Sequence, residues 1–296
     1  MRATAEKTAK PFLKWAGGKG QLIPEIEAHL PDDLRNGQID TYIEPFVGGG
    51  AVFFYIAQNY NCIKKFILLD INQDLVNCFN SIKNDVESLI QELSSLQNRF
   101  RRRKKETQKD FYYDMRTEFN AERSSALLIF LNKTCFNGLY RVNKGGLFNV
   151  PFGRYENPTI CNEDNLRSVS EILQKVEIIQ GDFAESGHFI NDKTFVYLDP
   201  PYRPLSPTAS FTSYAKEDFG HKEQVRLAEF CRHIDKKHAK FLLSNSDPKN
   251  EDPKDRFFED NYKKFSFHID RVKAVRAINC KASGRGQINE LLITNY

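Results

Sequence analysis

With 296 residues, the chain is long enough for one large domain or two modest ones and for a real hydrophobic core. Its 40% hydrophobic and 28% charged residues are those of a soluble globular protein, and a net charge of +4 is too small to define a partner by itself. No apolar run reaches membrane-spanning length and the opening MRATAEKTAKPF has no apolar signal region, so a cytoplasmic protein is expected.

The six cysteines, Cys62, Cys78, Cys135, Cys161, Cys231 and Cys280, are scattered, with no CxxC and no histidines at ligand spacing. This favours free thiols in a reducing compartment over a zinc site, and no metal is expected. The charge is uneven, however. RFRRRKK, residues 99–105, packs six basic side chains into seven positions, which suits either a solvated helix end or phosphate contact.

In chain order, residues 42–70 read as a β-α-β unit: TYIEP a strand, FVGGG a tight loop, AVFFYIAQNY a helix and KKFILLD a second, buried strand. From Asn72 to Phe100, Leu75, Phe79, Ile82, Val86, Leu89, Leu93 and Leu96 recur at helical spacing, which predicts two amphipathic helices broken near Asp85. A further helix is predicted over about 110–131. Residues 134–158, TCFNGLYRVNKGGLFNVPFGRYENP, are too rich in Gly, Asn and Pro for a regular helix. Strand patterns return in VEIIQGD, TFVYLDPP, KFLLSNS, KKFSFHI and NELLITNY, with a helix placing Val225, Ala228, Cys231 and Ile234 inward. The expected fold is therefore an open α/β sheet. A discontinuous domain of residues 1–75 and 169–296 would carry a mainly helical, basic insert over 76–168.

Ligands of open α/β sheets sit at the carboxyl ends of strands. In EPFVGGG, Gly48 and Gly50 permit a tight turn close to a ligand, and Asp70 ends the next strand at the spacing that reaches ribose hydroxyls. Phe53 stands where a third glycine would complete GxGxxG, which disfavours a nicotinamide cofactor and leaves an adenosine-bearing ligand open. In QGDF, Asp182 and Phe183 could bond and stack on adenine, or Asp182 could simply cap a helix. FLKWAGGKG lacks the first glycine and the Ser/Thr of a P-loop, yet Lys19 on a glycine-rich turn suits an anionic group. In LDPPY, the Asp199 carboxylate and the Pro200 carbonyl are adjacent acceptors for the two hydrogens of one exocyclic amino group. Drawing on those hydrogens favours a tetrahedral nitrogen whose lone pair can meet an electrophile. Tyr202 can stack on the base.

Together, DPPY, EPFVGGG, FLKWAGGK, LLDIN and NGLYRVN…FNVPFGRY resemble the Dam-type DNA adenine-N6 methyltransferases over nearly the whole chain and in the family's order. The resemblance implies a Rossmann-like S-adenosylmethionine-dependent sheet with an inserted DNA-recognition domain. It also implies methyl transfer to N6 of adenine in duplex GATC, with base flipping. It assigns Trp15, Lys19, Phe46, Gly48, Gly50, Asp70, Asp182, Phe183 and Asp199 to the cofactor, with Lys19 on its carboxylate. Asp199, Pro200 and Tyr202 fall to the target adenine. Lys14, Phe136, Asn137, Leu139, Arg141, Pro151 and Tyr155 fall to DNA recognition, Arg141 and Lys14 at guanines and Phe136 beside the flipped base. Phe136 replaces a Tyr of some relatives, and Gly145-Gly146 is a loop variant. SPTASFTSYAKEDF, after DPPY, reads as a lid or a plain surface loop. Double-stranded DNA is the expected partner of a monomer or weak dimer, with a cognate restriction endonuclease as a further partner in a restriction-modification setting. Cytosine-N4 or RNA adenine methylation, and a DNA-binding module without catalysis, are the competing readings.

Overall fold

The computed structural model describes residues 8–203, 219–275 and 287–296. In chain order the elements are α1 (Ile23–Ala28), α2 (Asp32–Arg35), β1 (Thr41–Glu44), α3 (Ala51–Asn59), β2 (Lys65–Asp70), α4 (Gln73–Asn84), α5 (Val86–Arg101), α6 (Lys105–Glu122), α7 (Ser125–Thr134) and α8 (Glu163–Leu173). They continue with β3 (Val176–Gln180), β4 (Thr194–Leu198), α9 (His221–Lys236), β5 (Lys240–Ser246), α10 (Phe257–Tyr262), β6 (His268–Val275) and β7 (Gln287–Thr294). Two compact units emerge. One takes the residues up to Gly18, Gly48–Phe54 and Asn72–Gln180; the other takes Lys19–Val47, Tyr55–Ile71 and Gly181–Tyr296.

The second unit is an α/β layer structure with strand order β2-β1-β4-β5-β7-β6. Strands β2, β1, β4 and β5 are parallel, and β7 and β6 are antiparallel additions. Every residue of β4, TFVYL, is buried, which is why it reads as a continuous apolar run rather than an alternating one. Pro200 and Pro201 then end the ladder, since neither can donate to it. On α9 the buried face runs through Gln224, Leu227, Ala228, Cys231 and Ile234; Val225 is only half-buried, one position off that face. KKFSFHI is not one strand. Residues Lys263–Phe265 make a 3-10 turn, Ser266 takes a left-handed φ of 66°, and β6 begins at His268.

The first unit is mainly helical. Asn72 and Asp85 cap α4 and α5 by accepting the Leu75 and Ser88 amides at 3.1 Å each, so the helix break falls at Asp85. Leu75, Phe79, Ile82, Leu89, Leu93 and Leu96 are buried and Val86 half-buried, as the spacing predicts. The single helix expected over 110–131 is two. Arg123 adopts φ 57° and closes α6, and Ser124 caps α7. Phe100, Phe111 and Phe130 form the aromatic centre of the bundle, with edge contacts of 5.6–5.7 Å onto Phe130. The five described cysteines are free thiols, and Cys280 lies outside the described residues. Among the described residues no helix is long and apolar enough to cross a membrane, and no cluster of metal-ligating side chains occurs.

Candidate active site

In the α/β unit, the ends of β4 and β5 and the start of β7 converge. Parallel pairing sets Leu198 beside Leu243, and antiparallel pairing sets Ser246 beside Glu290. Asp199 and Ser244, one position beyond the first pair, and Glu290 of the second therefore lie at the same end of the sheet. Lys19, buried to 6% exposure, enters the same end from the glycine-rich turn. Its ammonium lies 2.8 Å from Asp199 Oδ1, 2.9 Å from the Tyr202 hydroxyl and 4.0 Å from Glu290 Oε2. Tyr202 donates to Glu290 at 2.8 Å, and Ser244 Oγ donates to Asp199 Oδ1 at 3.2 Å.

Burial works against the Lys19 charge, but Asp199, Tyr202, Tyr197 and Glu290 outweigh it and hold the ammonium well above the usual lysine value. Burial lifts the Asp199 carboxyl above the ordinary aspartate value, and Lys19 and Ser244 pull it only part of the way back. Two carboxylates, those of Asp199 and Glu290, face the Lys19 ammonium. Asp199 Oδ1 takes both contacts, while Oδ2 has no hydrogen-bond partner among the described residues. The Pro-Pro turn is fixed from behind. Gln224, fully buried, donates to the Pro201 carbonyl at 2.9 Å, and Asn245 donates to Gln224 at 3.4 Å.

At the neighbouring strand ends, the Asp70 carbonyl accepts the Gly181 amide at 3.2 Å. Phe46 and Phe183 lie 5.3 Å apart at 30°, and Phe219 meets Phe46 edge-on at 5.6 Å. The first two rings touch each other, so a planar base would stack beside them rather than between them. Asp182 caps its own turn through the Ala184 amide and is gripped by Arg226 at 2.6 and 2.7 Å. Those Arg226 bonds hold its carboxyl below the usual range against some desolvation, so the capping role is the one its geometry displays.

The helical unit assembles the remaining sequence-derived positions. Gly48 has φ 47°, and a Cβ there would stand 2.8 Å from Trp15, so glycine is required twice over. Gly50 shares the positive φ at 71°. Trp15 stacks on Tyr140 at 5.5 Å, Tyr140 donates to Asp74 at 2.7 Å, and Arg123 bridges Asp74 to the Gly146 carbonyl. Asn132, 1% exposed, bonds both backbone groups of Lys14 and the Gly138 carbonyl, which brings Lys14 to the loop beginning at Phe136. The Lys14 ammonium sits 4.7 Å over the Tyr155 ring.

That loop is a short hairpin, bridged at Cys135–Phe152 and Val142–Phe148. Its back is pinned to α6, where Tyr112 donates to the Val150 carbonyl at 2.7 Å and Asn120 exchanges two bonds with Phe148. Its front is open. Phe136 is 51% exposed, Asn137, Arg141 and Pro151 are exposed, and Leu139 and Tyr155 are half-buried. Asn149 Oδ1 holds Arg141 Nε at 2.7 Å, which orients the guanidinium. Sequence reasoning missed Glu290, Ser244, Gln224, Asn245, Asn132, Asp74 and Arg226. The readable signals were the polar SNS closing an apolar strand and an acid opening the apolar NELLIT.

A mostly parallel α/β sheet presents a lysine-held carboxylate beside a Pro-Pro turn at a strand end, a preorganised polar centre suited to an enzyme. The family model of the D12 class N6 adenine-specific DNA methyltransferases matches residues 15–278. A type II methyltransferase of Methanocaldococcus jannaschii, M.MjaIII, is 52% identical over 97% of this chain and 99% of its own length. The DNA adenine methylase of Escherichia coli K12 is 35% identical over 97% of this chain and 95% of its own. The chain belongs to the D12 class family and is an adenine-specific DNA methyltransferase. Among solved structures, the rRNA methyltransferase aviRa of Streptomyces viridochromogenes covers 99% of the chain at 13% identity and a TM-score of 0.40, a likeness from which nothing further follows.

Proposed function

We propose that the enzyme methylates N6 of adenine in duplex GATC, with S-adenosylmethionine as donor and the target adenine flipped out of the helix. The Lys19–Asp199–Tyr202–Glu290 cluster carries this reading. Asp199 Oδ2 and the Pro200 carbonyl accept the two amino hydrogens of the adenine. As the methyl group arrives, positive charge grows on the amino nitrogen beside the Asp199 carboxylate, whose preorganised field lowers the barrier. Lys19 and Ser244 occupy Oδ1, which leaves Oδ2 to take the departing proton. Tyr202, anchored by Glu290 and Lys19, forms the wall on which the base stacks. A base within a duplex cannot reach a carboxylate at a sheet edge, so extrusion at about a few kcal/mol is required.

S-adenosylmethionine, when bound, supplies the methyl group. The half-buried Asp70 suits its ribose, one face of Phe46 or Phe183 suits its adenine, and the Lys19 region suits its carboxylate. Trp15, Gly48 and Gly50 are the further cofactor positions that the sequence assigns, and Asp182 would serve through Arg226 and the turn it caps. Residues 76–168, which fall inside the helical unit, carry target recognition, with the chemistry in 1–75 and 169–296. Arg141, Lys14, Phe136, Asn137, Leu139, Pro151 and Tyr155 face the DNA. GATC itself rests on the resemblance of the motif pattern to the Dam-type enzymes. The type II names of other relatives support a partner endonuclease, and the free thiols support a reducing cytoplasm.

Labelled S-adenosylmethionine with a GATC duplex should yield labelled N6-methyladenine. Equal labelling of a GTTC duplex would refute the site, and a labelled cytosine would refute the base.

A further inference from the structure

Residues 99–105 close α5 and open α6, and neither element explains their charge. Arg99 and Arg101 suit the negative end of α5, but Lys104 and Lys105 stand against the positive end of α6, where cations are unfavourable. Lys104 is its N-cap residue and makes no side-chain cap. Arg99, Arg101, Arg102, Lys104 and Lys105 are exposed, and Arg99 and Arg103 share one Phe111 ring at 5.0 and 4.1 Å. Among the described residues, Lys105 is the member of the run with an acidic partner, Glu156 at 3.1 Å, and both side chains are largely in solvent. Such a pair is worth little. The six charges of this corner exceed the net +4 of the whole chain, so the remaining residues sum to a net negative charge.

The corner also has a definite neighbour. Phe100 packs on Phe152 at 6.3 Å, and Lys105 reaches Glu156, so the basic run adjoins the end of the hairpin loop that holds Tyr155 and the exposed Arg154. We propose that the corner of residues 99–105 binds the phosphate backbone of duplex DNA outside the recognised tetranucleotide, on the flank nearest Tyr155. This inference rests on the reading of the loop as the DNA-facing element. It assigns a sequence-independent contact, carried by Arg101, Arg102 and Lys104, to a surface that no step of methyl transfer uses.

The test is the triple variant Arg101→Gln, Arg102→Gln, Lys104→Gln, whose side chains are exposed and whose removal should leave the fold intact. Binding is followed by fluorescence anisotropy across a salt series, on GATC duplexes of about 10 and about 24 base pairs and on a GATC-free duplex of the longer length. On both long duplexes the variant should lose about tenfold in affinity, and the log–log salt slope should shrink by about 2.7, or about 0.9 for each lost phosphate contact. Affinity and methyl transfer on the short duplex should stay within about twofold, because it lacks the flank. Equal loss on short and long duplexes would place the residues inside the site and overturn the proposal. No loss on the long ones, or a larger loss on single-stranded RNA of equal length, would do the same. The GATC-free arm reads the flank contact even if methyl transfer proves to have another target.

Discussion

The two regions to which the proposed function assigns chemistry and recognition are built on opposite principles. At the strand tips of the α/β unit, charges are buried, and the one Lys19 ammonium meets Asp199, Tyr202 and Glu290. In the hairpin of the helical unit, the backbone is what α6 and Asn132 grip, while Phe136, Arg141 and Pro151 project into solvent. On the proposed function, the first arrangement fixes where a developing charge will be met, and the second fixes a frame whose side chains a DNA partner completes. Mutations should therefore act on rate and stability in the one and on discrimination in the other.

The sharpest way to break this contrast is Asp199→Ala. On the proposed reading it removes an acceptor of the amino group, and it deprives the Lys19 ammonium of its 2.8 Å carboxylate partner. Methyl transfer should fall by about a thousandfold or more while DNA affinity stays within a few-fold, measured by single-turnover labelling and anisotropy. Retained turnover would remove Asp199 from the clamp.

Next in size is a charge remote from the site but in the same unit. Glu259 accepts from Lys249 at 2.5 Å and Arg271 at 2.8 Å. Desolvation alone would raise its carboxyl, but these bonds overcome it and bring it to about 2 from an ordinary 4.5. Its stabilisation is present above the unfolded value, near pH 4.5, and is lost as pH falls towards 2. Glu259→Gln should cost about 2–3 kcal/mol at neutral pH and flatten the acid limb of the denaturation curve, with kcat unchanged. A variant as stable as the parent at pH 7 would contradict the buried-charge half of the comparison.

In the hairpin, Arg141→Ala should leave thermal stability alone and blur discrimination at one guanine by about 1–3 kcal/mol, read from kcat/KM on singly substituted duplexes. A large fall in Tm would mean that the loop is not the passive frame described. The smallest expected effect is Tyr140→Phe. It keeps the stack on Trp15 and deletes a single bond to Asp74, which Arg123 still holds, at about 0.5–1.5 kcal/mol of stability. The loosened contact should show as faster hydrogen exchange near Gly146, and unchanged exchange there would separate Asp74 from the hairpin.

Much of this was legible before any coordinates. The helix break at Asp85 follows from a capping side chain and a shift of apolar phase, both local. The turn at Gly48 follows from a backbone conformation that only glycine holds cheaply, and the end of β4 from prolines that cannot donate. Misreadings arose where local signals compete with tertiary ones. KKFSFHI alternates like a strand, yet a left-handed Ser266 turns it. The 110–131 pattern hides a helix boundary because Arg123, which has no glycine-like signature, takes the terminating φ.

What the sequence determined by itself was the set of motifs and the strand that each one ends, because period and chain-breaking residues act within a few positions. What only the tertiary structure decided was which atoms remain to act. Glu290 lies 88 residues from Tyr202 and reaches it through the antiparallel register of β7 on β5. Asp182, an adenine ligand by motif, is held by an arginine 44 residues away. Pairings across such distances depend on sheet order and register, and no local pattern in the chain encodes them.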